Sequence, residues 1–312
     1  MEALKKALII SDGKKGHLNQ SIALAKYLGY KYDIVEVYFK SKILKLLSYL
    51  FDRIGVYTMS IFQFENGVLP RYPELVSGSK NEYSIVVCAG SSTYYATKVL
   101  AKKFNVKSVA MMLPRGYKYD FDVIFAQIHD NPSKQSNIIE IPANFSFIEP
   151  FGLYKPKKQS VGIIIGGNNS SLEMNKDKLK VQLDFIKEKF KDFEIAVTTS
   201  PRTPKDIEDF VRSYHFDYEV IYSLNPVNPI PDFLSQCDTV LITSDSTSMI
   251  SESVSFGKAN IVVLPLVSKK ENKFDKFISK LETDGYLHIF GGKIINKNKK
   301  IDFTQYLKGL DL

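Results

Sequence analysis

The stretch that most narrows the fold is Val240 to Glu252 with its continuation through Gly257 to Leu264. Val240-Leu241-Ile242 is apolar, Thr243 to Ser248 is small and polar, a short helical stretch carries Glu252, and a second apolar run follows Gly257-Lys258. Strand, polar turn, helix and strand in that order make one right-handed βαβ unit. In an open α/β sheet, ligands sit at the loops that leave the carboxyl ends of the strands. Hydroxyls and backbone N–H groups at a helix N-terminus suit an anion such as a diphosphate, which makes Ser244, Asp245, Ser246, Ser248 and Met249 candidate binding residues. Glu252 is placed to accept hydrogen bonds from sugar or ribose hydroxyls. The plainer alternative is a Ser/Asp helix cap followed by a solvated glutamate.

The same design recurs along the chain. Ala7-Leu8-Ile9-Ile10 reads as a buried strand ending in Ser11-Asp12-Gly13-Lys14-Lys15-Gly16-His17-Leu18-Asn19-Gln20, before a helical pattern from Ser21 to Leu28. Gly13 and Gly16 permit close backbone approach to a ligand, and Asp12, Asn19 and Gln20 share the turn. The spacing is neither G-x-G-x-x-G nor a P-loop. Imidazole ordinarily titrates near neutrality, so His17 at such a turn suits a general base, with a capping or exposed histidine as the alternative. Ser84 to Cys88 is a further buried strand followed by Ala89-Gly90-Ser91-Ser92-Thr93 and a helix to Phe104; Val106 to Met112 and Asp122 to Phe125 are strands as well. His129 and Asp130, at the end of the last of these, are a second acid/base candidate, although an Asp-Asn-Pro turn also explains Asp130. Asp120-Phe121-Asp122 spells D-x-D but straddles a strand start without companions, so no metal is expected.

From Ser41 to Phe62 apolar residues recur at Ile43, Leu46, Leu47, Leu50, Ile54, Tyr57 and Ile61, the spacing of one helix face, with Lys40, Lys42, Lys45 and Arg53 around it. This stripe faces the core or, alternatively, an anionic membrane.

The Pro- and Lys-rich segment Glu149 to Lys158 reads as an interdomain linker, after which the pattern restarts. Val161 to Ile165 is a strand with Gly166-Gly167-Asn168 in its carboxyl-end loop, and a helix runs from about Lys176 to Phe190. Phe193 to Val197 is a strand ending in Thr198-Thr199-Ser200-Pro201-Arg202-Thr203-Pro204. Ser200 and Thr203 lie beside Arg202, whose guanidinium suits a bidentate phosphate contact. Lys269 to Thr283 is expected to be helical and Leu287 to Phe290 a strand. The chain therefore divides at residue 152 into two Rossmann-like domains facing each other across a cleft, 1–152 and 153–312, with the C-terminal tail as a candidate to pack back on the first.

Composition limits the partners. Among 312 residues, Lys and Arg outnumber Asp and Glu by 42 to 34, a formal net charge of +8, which favours anionic partners. The basic residues are scattered and not interleaved with exposed aromatics, which argues against nucleic acid. Hydrophobic content of 44% excludes a disordered chain. Two cysteines, each in an apolar run, suit buried thiols in a reduced compartment. The initial apolar segment is too short for a signal peptide and no uncharged run reaches membrane-spanning length, so a cytoplasmic location is expected, with peripheral contact at the inner face of the cell membrane left open.

The ordered set Ser11-Asp12-Gly13…Gly16-His17…Asn19-Gln20, Phe121-Asp122…His129-Asp130, Ile165-Gly166-Gly167, Thr199-Ser200…Arg202-Thr203-Pro204 and Thr243-Ser244-Asp245-Ser246…Ser248-Met249…Ser251-Glu252…Gly257-Lys258 resembles the mitochondrial fission ELM-type family, also labelled predicted nucleoside-diphosphate-sugar enzymes. More distantly, Gly13…Gly16-His17 and Ser251-Glu252…Gly257-Lys258 are similar to MurG-like N-acetylglucosaminyltransferases. The resemblance implies a GT-B fold with the nucleotide-sugar donor on the C-terminal domain and the acceptor on the N-terminal one. Pro201 stands where the family usually has a first arginine, and Ala259 where proline is common. Ser246 replaces a glycine of the MurG-like pattern.

The function expected from these features is a metal-independent glycosyltransferase that moves a sugar from a nucleotide-sugar donor to a glycan or lipid-linked acceptor. No cofactor is called for, the nucleotide sugar being a substrate. His17 is the expected base, with His129 or Asp130 second, and an anionic membrane surface is a further candidate partner. The alternatives are a nucleotide-sugar epimerase of the same fold and a non-catalytic protein of that fold that recruits partners to membranes.

Overall fold

Short, wholly apolar strands dictate a sheet covered on both faces, because a strand with one wet face would alternate. A computed structural model describes residues 5–66, 72, 75, 83–268, 273–295 and 298–312. The chain splits into two compact units, Met1–Phe147 with Phe303–Leu312, and Ile148–Asp302.

In the first unit, strands β1 (Lys6–Ser11), β2 (Lys31–Tyr38), β3 (Gln63–Phe64), β4 (Ile85–Cys88), β5 (Lys107–Ala110), β6 (Val123–Gln127) and β7 (Ile138–Ile141) form one sheet in the order β3-β2-β1-β4-β5-β6-β7. All neighbours are parallel except β2 and β3. Ala7 to Ile10 and Ile85 to Cys88 are buried, with Ile9 opposite both Ile34 and Val87. Helices α1 (Lys15–Tyr27), α2 (Lys42–Ile54) and α3 (Tyr94–Phe104) follow β1, β2 and β4. The order reverses between β1 and β4, the switch point at which open α/β sheets bind ligands.

Four differences from the sequence reading bear on function. Helix α1 starts at Lys15 rather than Ser21, since His17 and Leu18 already donate to the Lys14 carbonyl, so His17, Asn19 and Gln20 ride on helix. The helix expected over 41–62 stops at Ile54, because Gly55 takes φ +79 and caps it. A core-facing stripe on that helix is overturned: its buried residues are Ser48 and Asp52, while Ile43, Leu46, Leu50 and Ile54 are exposed. Ser48 is fastened by the Tyr117 hydroxyl at 2.8 Å, and Asp52 by Lys98 Nζ and the Lys118 N–H, both at 2.7 Å. Finally, β3 and β7 are additional strands.

The second unit repeats the plan. Strands β8 (Ser160–Ile165), β10 (Glu194–Thr199), β11 (Tyr218–Val220), β12 (Thr239–Thr243), β13 (Asn260–Leu264) and β15 (His288–Ile289) form a parallel sheet in the order β11-β10-β8-β12-β13-β15. A two-stranded antiparallel ladder joins β9 (Leu172–Glu173) to β14 (Val267–Ser268). Helices α4 (Lys176–Lys189), α5 (Lys205–Arg212), α6 (Ile230–Gln236), α7 (Thr247–Ser255) and α8 (Lys273–Thr283) complete it. The switch point lies between β8 and β12. Residues 269–272 of the helix expected from Lys269, and 296–297 of the Lys-rich loop, lie outside the described residues.

The segment read as a linker is docked on the second unit. Buried Asp232 accepts the N–H groups of Gly152 and Leu153, at 2.8 and 3.2 Å, and Tyr154 packs on Phe233. In the first unit, Phe303 stacks on Phe145 with centroids 4.4 Å apart, and Lys5 donates to the Leu312 carbonyl. Among the described residues, no helix is long and apolar enough to cross a membrane.

Candidate functional site

At the carboxyl end of β1 the turn Asp12-Gly13-Lys14 brings two side chains together. His17 Nδ1 lies 3.1 Å from both Asp12 carboxylate oxygens, in the first turn of α1, and Asp12 is nearly sealed while His17 keeps about a quarter of its side-chain surface. An Nδ1–H donated to that carboxylate leaves the Nε2 lone pair as the free proton acceptor. The β4 turn is shaped around this ring: Gly90 has φ +94, and a Cβ there would sit 2.4 Å from His17 Nδ1. A glycine is required at 90 on both counts, conformation and space.

The neighbouring candidates separate into distinct roles. Asp12, expected to touch substrate, positions the imidazole and also lines the adjoining cavity. Gly13 takes φ +74 to turn the chain, and Gly16 gives its carbonyl to Gln20 Nε2 at 3.1 Å. Gln20 is buried with Oε1 facing no partner among the described residues, whereas Asn19 is exposed. Ser91 Oγ accepts from Lys45 Nζ at 3.1 Å, and the same ammonium reaches Ser92 Oγ at 3.3 Å. A cavity of about 270 Å³ opens here, lined by Asp12, Lys14, Ser41, Lys42, Lys45 and Ser92 among others.

His129 and Asp130 form a short 3-10 turn at the end of β6. The Asp130 carboxylate is held by Arg115 Nη2 at 2.9 Å, an ion pair the sequence reading did not include. The D-x-D pair is likewise spent on structure: Asp120 pairs with Lys98, and Asp122 accepts from the Ser108 N–H at 2.7 Å and hydroxyl at 2.9 Å. Among the described residues no group of three or more His, Cys, Asp or Glu could hold a metal ion.

In the second unit the turns after β8, β10 and β12 knit into one cradle with Asp245 beneath it. Its carboxylate accepts from Thr243 Oγ1 at 2.7 Å, Gly167 N–H at 3.1 Å and Arg202 Nη2 at 2.7 Å. The side chain is 0% exposed, and burial pushes its pKa up against these partners. Asp245 therefore organises the turns from beneath them, a structural role that the sequence reading did not give it. Arg202, 43% exposed on its side chain, has one guanidinium nitrogen committed to Asp245, so the bidentate phosphate fork expected of it is half used.

The glycines are there for close approach. A Cβ on Gly166 would fall 1.9 Å from Asp245 Oδ1, and one on Gly167 2.0 Å from the Arg202 carbonyl oxygen. Thr203 Oγ1 donates to the Gly166 carbonyl at 2.6 Å and accepts from the Ser200 N–H at 2.8 Å, while Asn168 Oδ1 accepts from Met174 N–H. These residues hold the turns at fixed separations.

Helix α7 presents what remains open. Ser246 Oγ accepts from the Met249 N–H at 3.3 Å, and Ser244 Oγ, which is buried, accepts from Leu266 N–H. The first N–H groups of the helix, on Thr247 and Ser248, have no acceptor among the described residues, which leaves them for an anion. Glu252 follows Ser248 by four residues and so lies on the same face. Its carboxylate makes no hydrogen bond among the described residues, and burial raises it from 4.5 to about 7. A half-buried carboxyl one turn beyond helix N–H groups, all without a partner among the described residues, is a ligand-ready arrangement.

Three contributors escaped the sequence reading: the Asp12–His17 pairing, Lys45 reaching the β4 turn, and Thr243 as a partner of Asp245. Only the first left a trace, as an aspartate five residues before a histidine across a glycine turn.

Residues 15–306 match the family model described as Mitochondrial fission ELM1. The protein RP120 of Rickettsia prowazekii is 24% identical over 304 residues, covering 82% of each chain. Among solved structures, MurG of Acinetobacter baumannii is similar at 13% identity and TM-score 0.46, over 93% of this chain and 86% of that one. A Listeria monocytogenes structure named for UDP-N-acetylglucosamine 2-epimerase is similar at 11% identity and TM-score 0.47, over 89% and 82%.

Proposed function

The chain belongs to the mitochondrial fission ELM1 family, and on that footing we propose that it is a glycosyltransferase moving a sugar from a nucleotide-sugar donor to the hydroxyl of a glycan or lipid-linked acceptor. The observation that carries the reading is the Asp12–His17 pair in its glycine-shaped recess. As the acceptor oxygen attacks the anomeric carbon, its proton passes to His17 Nε2. The bond from that carbon to the diphosphate breaks, and the electron pair leaves on the diphosphate oxygen. Asp12 holds the tautomer and stabilises the imidazolium that forms.

The second unit is assigned the donor. The open N–H groups of α7 and the partly available Arg202 meet the diphosphate charge where it develops, and Glu252 accepts from hydroxyls of the ribose or sugar. The test is release of nucleoside diphosphate from a panel of nucleotide sugars with candidate acceptors. His17→Ala is expected to lower turnover by a factor on the order of 10² to 10⁴. Turnover that is unchanged by the substitution removes His17 from the chemistry, and isomerisation of the donor without acceptor replaces transfer by epimerisation.

A further inference from the structure

Helix α2 carries a second apolar face that the protein does not cover. At 3.6 residues per turn, Ile43, Leu46, Leu50 and Ile54 fall within an arc of about 80°, and they are 71%, 68%, 51% and 62% exposed. The opposite side faces the protein: Leu44, Tyr49 and Phe51 pack against the core of the first unit, Ser48 bonds to Tyr117 and Asp52 to Lys98. Solvent-facing aliphatic residues on four successive turns form a contiguous apolar strip of the sort that marks an interaction site.

The charges beside the strip decide what covers it. Lys42 and Arg53 are exposed and flank it on the Leu46 side. The one acidic residue of the helix, Asp52, is buried and paired with Lys98, so every exposed charge on α2 is positive. A second copy docking through the same face would set these cations against each other. An anionic bilayer answers both features at once, taking the aliphatic side chains into the acyl boundary and the cations among its headgroups.

We propose that the Ile43-Leu46-Leu50-Ile54 face of α2, with Lys42 and Arg53, docks on the surface of an anionic lipid membrane. The helix lies in the plane of the interface and does not cross it. Ser41, Lys42 and Lys45 of this segment also line the cavity beside Asp12, so docking brings that cavity to headgroup level.

The experiment is sedimentation of the full chain with vesicles of phosphatidylcholine alone or with about a third phosphatidylglycerol. Partitioning onto the anionic vesicles is expected to exceed that onto neutral ones by at least about tenfold and to fall with added salt. Neutralising Lys42 and Arg53 to Gln is expected to cost roughly fivefold per cation, and Leu46→Ser with Leu50→Ser to abolish binding at matched lipid. Val181→Ser, at an equally exposed aliphatic position in the second unit, serves as the control and leaves binding unchanged. The chain has no tryptophan, so Leu50→Trp gives an isolated probe whose emission should shift to the blue with anionic vesicles only. Equal binding to both vesicle types, or an unaffected Leu46/Leu50 variant, overturns the proposal. So does a serine variant that melts well below wild type, since the strip would then be covered by the chain itself. A concentration-dependent dimer that the serine variant dissociates, without vesicle binding, assigns the face to a second copy instead.

Discussion

Replacing Glu252 by glutamine should change how stability depends on pH. The native carboxyl titrates at about 7 because of burial, against an ordinary value of 4.5. Between those values the native state keeps a proton that the unfolded chain has lost, so stability is full below about 4.5 and declines as pH rises through about 7. A shift of this size has a ceiling of about 3 kcal/mol, and the partial solvent access of the side chain screens it to about 1–2 kcal/mol. The amide introduced by Glu252→Gln carries no charge to desolvate, so at pH 8 the variant is expected to be the more stable protein, by about 3–6 °C in the melting of a unit of this size. At pH 4.5 the two should melt together. Thermal unfolding at constant ionic strength from pH 4.5 to 8.5 reads the difference directly. Parallel curves for the two proteins would refute the reasoning, since they would mean that Glu252 ionises in the native state as freely as in the unfolded one.

Gly90→Ala forces a Cβ to within 2.4 Å of the His17 ring at φ +94; turnover should fall about as far as for His17→Ala, with a lower melting temperature, and wild-type kinetics would show that the imidazole position is unimportant. Asp12→Asn should cost turnover by a factor on the order of 10² or more with little change in donor KM, because the tautomer is no longer held. Arg202→Met leaves Asp245 buried with its remaining partners; because Arg202 is itself partly exposed, denaturant unfolding should show a loss of about 2 kcal/mol, and a neutral result would place the cradle's integrity elsewhere.

Much of the framework was legible because buried parallel strands such as Ala7 to Ile10 and Val240 to Ile242 are continuous apolar runs that end in small polar turns. The turns themselves were found for the same reason: Gly166, Gly167 and Gly90 stand where chains approach too closely for a Cβ. What those turns do was less legible. Asp245 reads as a ligand residue in one dimension, but its depth and its contacts with Thr243, Gly167 and Arg202 depend on three separate strands. Asp130 likewise reads as a partner for His129, and only the fold brings Arg115 to it from a different turn. Helix α2 misleads through periodicity, which reports that a helix has an apolar side and not which side faces the protein. Ser48 and Asp52 settle it, through partners at Tyr117 and Lys98 far along the chain.

The donor assignment is met most directly by calorimetric titration of nucleoside diphosphates into wild type and Glu252→Gln at pH 8. Saturable binding of at least one of them is expected, weakened at least about tenfold in the variant through loss of a charge-assisted hydrogen bond. Absence of binding across the series, or identical affinities for the two proteins, would contradict it.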